Sequence, residues 1–186
     1  MGTTDIFLLV IIASTLIVGF FWGAARSLML LAAWLLAFLA GAYLKLEFGS
    51  YLASQWTNFD ATFNEMAAFA LIYLGVLIAA IVVIFVITRG SQRVTRYQML
   101  DDFVGALFAV FVAVLTIAGI MIVLSTFYGP DPGPIVDWSG GPEWTASLYE
   151  SLLNSNIGSG INEHLVPLIG TVLGPILPPD VREVFG

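Results

Sequence analysis

"FFWGAARSLM", residues 20–29, carries the one charge between Asp5 and Lys45, Arg26, in an otherwise uncharged and mostly apolar run. Apolar segments flank it on both sides, Ile6–Trp22 and Ser27–Leu44. As a single helix they would reach roughly 60 Å, about twice the hydrocarbon thickness of a bilayer. A hairpin resolves the mismatch. Gly23 admits the backbone conformations that a turn needs, and Arg26 at a turn can extend its guanidinium to the headgroups. The stretch therefore predicts a reversal between two membrane spans, with a re-entrant pair as the other reading of so short a connection.

Composition agrees with a membrane setting. Of 186 residues 59% are hydrophobic and only 10% charged, against about 25% charged in ordinary soluble domains. Mean hydropathy is +0.97. Four segments are long and apolar enough to span a bilayer: 6–22, 27–44, 66–88 and 103–124. The expected fold is thus an all-α integral membrane protein, a four-helix transmembrane bundle over residues 1–127. Residues 128–186 form an acidic, Pro/Gly-rich extracytoplasmic tail with short amphipathic or interfacial helices. The N-terminus carries Asp5 and no basic residue before its apolar run, so the first segment reads as a retained span, not a cleaved signal.

Basic residues set the expected orientation. Arg26 lies in the first loop and Arg89, Arg93 and Arg96 in the third, whereas the second loop has Lys45 beside Glu47. Loops one and three are therefore expected inside, with both termini periplasmic.

All eight prolines fall after residue 129, and "GPDPGPIVDWSGGPEW" (129–144) reads as an irregular linker. Beyond it, Pro142 suits a first helical position, and Trp144, Leu148 and Leu152 recur at helical spacing, predicting a short amphipathic helix. "SNIGSGIN" (155–162) reads as a flexible turn. "INEHLVPLIGTVLGPIL" (161–177), broken by Pro167 and Pro175, is expected at the interface or against the bundle, in preference to a fifth crossing. The loop "KLEFGSYLASQWTNFDATFNE" (45–65) reads as a further interfacial segment with Phe48, Tyr51, Leu52, Trp56 and Phe59 at headgroup level. From Tyr128 onward the tail holds seven acidic residues and one basic, a surface that does not attract nucleic acid.

Catalytic patterns are sparse. There is no cysteine, which excludes thiolate metal sites and cysteine nucleophiles. His164 is the single histidine and falls in the tail, so it reads as solvated or structural. No paired intramembrane carboxylates, phosphate-binding glycine loop or metal-ligand spacing occurs. The expectation is a non-enzymatic protein with no catalytic residues, no metal and no cofactor.

Small residues recur every fourth position at Gly19 and Gly23, at Ala33, Ala37 and Gly41, at Gly75 and Ala79, and at Gly105, Ala109 and Ala113. Such faces permit close helix contact in lipid. Asp101 and Asp102 precede the fourth span, where one can cap the helix. Their side of the membrane also places them near Arg26, and an Arg26–Asp101 ion pair is a specific expectation.

"GFFWGAARSLMLLAAW" (19–34) and "LDDFVGALFAVFVAVL" (100–115) resemble the N-terminal hairpin and the acid-then-glycine start of the fourth span in the CvpA family, the colicin V production proteins. The matching positions are Gly19, Gly23, Arg26 and Trp34 in the first motif, Asp101 and Gly105 in the second. The chain departs from that pattern at Trp22, Ser27 and Asp102, where relatives often carry a basic, an acidic and a basic residue. The resemblance implies a multi-pass bacterial inner-membrane protein linked to toxin production or export and to envelope homeostasis. The expected role is a membrane scaffold or accessory subunit that contacts the lipid bilayer and self-associates or binds membrane-protein partners. The alternatives are an oligomeric small-solute or ion channel, and an anchor or regulator of a periplasmic protease.

Overall fold

The computed structural model describes residues 2–89, 98–128 and 143–182. The proline-rich stretch 129–142, Pro142 included, and the loop basics Arg93 and Arg96 lie outside the described residues.

Four long helices form the body: α1 Thr3–Trp22, α2 Ala24–Gln55, α3 Ala61–Thr88 and α4 Gln98–Tyr128. All four are long and apolar enough to cross a membrane, as their composition predicts. Among the described residues there are no strands.

The helices do not pack as a square. α2 lies between α3 and α4, and α1 packs on α4, whereas α1 barely touches α2 and α3 barely touches α4. Small residues explain the close pairs. A Cβ on Gly19 would stand 2.3 Å from that of Ala109, and one on Gly105 would stand 2.5 Å from the carbonyl carbon of Gly23. Such approach is open only to backbones without side chains between them. Ala33, Ala37 and Gly41 are likewise buried on α2. Gly75 and Ala79 depart from the expectation. Nothing lies within 4 Å of a Cβ built on Gly75, and both residues are exposed on the outer face of α3.

The core is aromatic at mid-height. Trp34 stacks on Phe38 at 5.4 Å between centroids, and Phe38 meets the edge of Phe69 at 5.6 Å. Phe38 is fully buried, and its ring with that of Trp34 passes over Gly119 of α4. Edge and offset ring contacts of this kind add to the area that they bury.

α2 is 32 residues long, roughly 48 Å. It therefore runs on into the interfacial segment expected at 45–65 and stops at Gln55. Asp60 then caps α3, accepting the Ala61 N–H at 2.8 Å. Helix-compatible Leu, Glu, Ala and Ser between Lys45 and Gln55 let the helix run on, and Gly49 packs against the Glu65 backbone of α3.

The tail is helical: α5 Glu143–Leu153, α6 Asn156–Gly160, a π-helical turn Ile161–Leu165, α7 Val166–Leu173 and α8 Pro179–Arg182. "SNIGSGIN" is thus a helix start, not a flexible turn, because Ser155 caps it by accepting the Gly158 N–H at 2.9 Å. α5 buries Thr145, Tyr149 and Leu152, one residue round from the predicted stripe; Trp144 and Leu148 face outward.

The near-continuous helix 156–173 lies across one end of the bundle. Its start is held by Asp5 of α1, and Ile176 just beyond its end accepts the Tyr43 hydroxyl of α2 at 2.5 Å. Asp5 and Tyr43 are both roughly 27 to 30 Å along their helices from Gly23. Two ends at one height mean a helix that lies across the end of the bundle and does not run along it.

Candidate functional site

The residues of the two motifs converge on the bundle end opposite the tail. Gly23 is the whole connection between α1 and α2, with φ 77° and ψ 171°, a combination essentially reserved for glycine. Gly19 and Ala109 meet on one side of it and Ala24 and Asp101 on the other, so α1 runs antiparallel to α4 and α2 parallel to it. The chain therefore reverses at a single glycine, a tighter hairpin than a four-residue connection.

Asp101 reaches across to this turn. Its carboxylate accepts the backbone N–H of Ala24 at 3.2 Å, satisfying one of the unpaired donors at the start of α2. It also stands in the first turn of its own helix, so one negative charge serves the positive ends of two helix dipoles. Its contact with Gly23 leaves no room for a side chain: a Cβ there would stand 2.4 Å from Asp101 Oδ2.

Arg26 turns the other way. Its Nη2 donates to the backbone carbonyl of Thr88 at 2.9 Å, at the C-terminal end of α3. A cation there is favoured by the negative end of that helix dipole. Arg26 sits in the first turn of α2, where a positive charge is unfavourable, and Asp101 offsets it. The expected Arg26–Asp101 ion pair does not form; each charge is spent on the backbone of a different helix, and together they tie the ends of α2, α3 and α4.

Trp34 is apart from this corner. It lies roughly 15 Å further up α2, is 2% exposed and belongs to the aromatic core. Of the six motif residues, five gather at the turn and one packs the interior. Ser27, where the motif departs, is 1% exposed, with an Oγ that makes no hydrogen bond.

A model of the Colicin V production protein family matches residues 4–157. The chain belongs to this family. Comparison with curated proteins and with solved structures gives no match. The family match takes in all four long helices, the Gly23 corner and α5, and it ends at Ile157, before the π-helical turn and α7.

Within the matched region lies a second polar constellation that the sequence reading missed. Asp5 is 1% exposed and accepts three hydrogen bonds: from the Gly2 N–H at 2.9 Å, from Asn156 Nδ2 at 3.1 Å and from the Ile157 N–H at 3.1 Å. It clasps the tail to the first helix. An acid opening an apolar span was the available signal, but its partners lie about 150 residues away and follow no motif. His164, in the π-helical turn, is exposed. Among the described residues no three His, Asp or Glu side chains gather as metal ligands would.

Proposed function

We propose that this colicin V production family member is a non-enzymatic scaffold or accessory subunit of the bacterial inner membrane, serving toxin production or export and envelope homeostasis. In this reading the Gly23 corner faces the cytoplasm and the tail the periplasm, in keeping with the distribution of basic residues.

The observation that carries the reading is the closed aromatic core. Trp34, Phe38 and Phe69 pack the middle of the bundle, and Asp5, Arg26, Asp60 and Asp101, charged side chains held by hydrogen bonds, stand at its two ends. A solute or ion path needs polar groups at mid-depth. One chain offers a rigid frame instead. The outward Gly75–Ala79 face of α3 is suited to contact with another apolar helix, a second copy or a partner protein.

Because the chain lacks cysteine, Gly75→Cys and Ala79→Cys give clean crosslinking probes in native membranes. Crosslinked species that disappear with Gly75→Leu, together with no selective flux in proteoliposomes, are the expected result. Selective flux altered by substitution at Phe38 would favour the oligomeric channel and end the scaffold reading.

A further inference from the structure

The helix that lies across the bundle end has two apolar flanks and docks only one. Ile169, Leu173 and, just beyond, Leu177 join the hydrophobic core, whereas Leu168, Val172 and Ile176 are each more than half exposed. Successive residues step round a helix axis by roughly 100°, so Leu168 and Val172 stand beside the docked pair Ile169 and Leu173 in one apolar arc of about 140°. Pro167 and Thr171, both exposed, lie on the far side. The bundle covers part of the arc and leaves its edge open.

The height of that edge is set by α1. This helix has 20 residues, and its length of roughly 30 Å matches the hydrocarbon core from end to end. At its outer end Asp5 accepts the Asn156 amide and the Ile157 N–H, where the tail helix starts, and Tyr43 of α2 donates to the Ile176 carbonyl, where it finishes. Tyr43 is itself 55% exposed, an apolar ring with a polar tip of the kind that populates membrane–water boundaries. The open edge therefore runs along the level at which acyl chains give way to headgroups. A helix there with an apolar edge and a polar back can turn the back to water and the edge to lipid.

Charge narrows the contact. Residues 156–176 include no Lys or Arg and one acid, Glu163, which is exposed in the π-helical turn. Interfacial helices are held by the apolar area that they bury and by attraction of basic residues to anionic lipids. The second contribution is missing here, and Glu163 opposes it. Apolar burial is what remains, and it needs room between acyl chains.

We infer that residues 166–176 are an interfacial segment seated half on the bundle and half in the adjoining leaflet, and that this lipid contact follows the packing of the acyl chains and not the charge of the headgroups. The placement needs only that the bundle spans a membrane, whatever role the protein has there.

Electron paramagnetic resonance of the full chain in phosphatidylcholine vesicles, spin-labelled at one introduced cysteine at a time, tests this, and no native cysteine competes. Labels at Leu168→Cys and Val172→Cys should collide with oxygen more often than with a water-soluble nickel chelate, like a label at Leu36→Cys, exposed at mid-span on α2. At Thr171→Cys the order should reverse. Exchanging palmitoyl-oleoyl for the looser dioleoyl chains should raise the oxygen-to-nickel ratio at Val172, taken relative to Leu36, about twofold. Adding phosphatidylglycerol should leave it unchanged. Nickel collisions in excess at both Leu168 and Val172, exclusion of both reagents from these sites by a covering protein, a ratio that follows phosphatidylglycerol, or one that ignores the acyl chains would each overturn the inference.

Discussion

Asp101 and Ala24, 77 residues apart in sequence, are joined by a hydrogen bond of 3.2 Å from the backbone N–H to the carboxylate. The bond places the carboxylate against Gly23 and so makes the turn between α1 and α2 depend on a residue of α4. Three kinds of constraint meet there: a backbone conformation open to glycine, a close helix crossing and a dipole cap.

Gly23→Ala should therefore be among the most damaging single-methyl changes in the chain. The backbone strain alone costs about 1–3 kcal/mol, and the new methyl would press on the Asp101 carboxylate. Unfolding in mixed micelles, followed by helical circular dichroism, measures the loss. A variant as stable as the parent would show that the turn is not held in this conformation.

Charge reversal at Arg26 and Asp101 should show little coupling. Arg26 serves the Thr88 carbonyl and Asp101 the Ala24 N–H, so Arg26→Asp with Asp101→Arg should lose what the single changes lose together, within about 0.5 kcal/mol. Rescue in the double variant would establish a direct ion pair. Arg26→Gln alone should cost about 1.5–3 kcal/mol, the range for a hydrogen bond to a charged group.

What the sequence reveals and conceals follows from how local each cause is. The four spans and the reversal at Gly23 are legible because length, charge and the freedom of glycine act within a few residues. The reach of α2 to Gln55 is not, since Phe48, Tyr51 and Trp56 suit a headgroup belt and a continuing helix equally. Gly105 and Gly75 look alike in sequence; only the partner helix distinguishes the buried one from the exposed one. Sequence places Arg26 and Asp101 at one corner, where they are found, but not with their actual partners, the Thr88 carbonyl and the Ala24 N–H, because helix ends compete for the same charges. Asp5 and Ile157 meet through tertiary structure alone.

That contrast between glycines is directly measurable. Gly105→Ala places a methyl within 3 Å of the Gly23 and Gly19 backbones, where neither partner can rotate away, and should cost about 1–3 kcal/mol as α1 and α4 are forced apart. Gly75→Ala meets nothing and should leave the monomer unchanged or raise its stability by up to about 1 kcal/mol through helix propensity. Equal effects in thermal unfolding would contradict the packing of α1 on α4.

The docking of α5 should weaken in alkali. Tyr128, beyond the apolar part of α4, stacks on Tyr149 at 5.4 Å and shares a hydrogen bond with Thr145. Burial raises its phenol above the ordinary value of 10.0, an effect that the Thr145 hydrogen bond only partly opposes. The folded state thus favours the neutral phenol. Its contribution is complete below pH 10 and is lost as pH rises through the folded-state value. A spin label at the exposed Ser151 should gain mobility above pH 10 in the parent, and this step should be reduced in Tyr128→Phe. An identical step in both would assign it to another group.

Asp5 controls the other attachment of the tail. Its carboxylate accepts the Ile157 N–H and the Asn156 amide, donors at the start of a short helix that leads into residues 161–173, and negative charge is favoured at that position. Asp5→Ala removes every acceptor and should speed protease cleavage around residues 154–160 several-fold at a protein concentration where the bundle stays folded. Asp5→Asn keeps a carbonyl oxygen for one of the N–H groups and should fall between the two. The expected order of cleavage is alanine, then asparagine, then parent. Cleavage of the alanine variant at the parent rate would mean that the tail is held by the buried Ile161, Ile169 and Leu173 without help from the clasp.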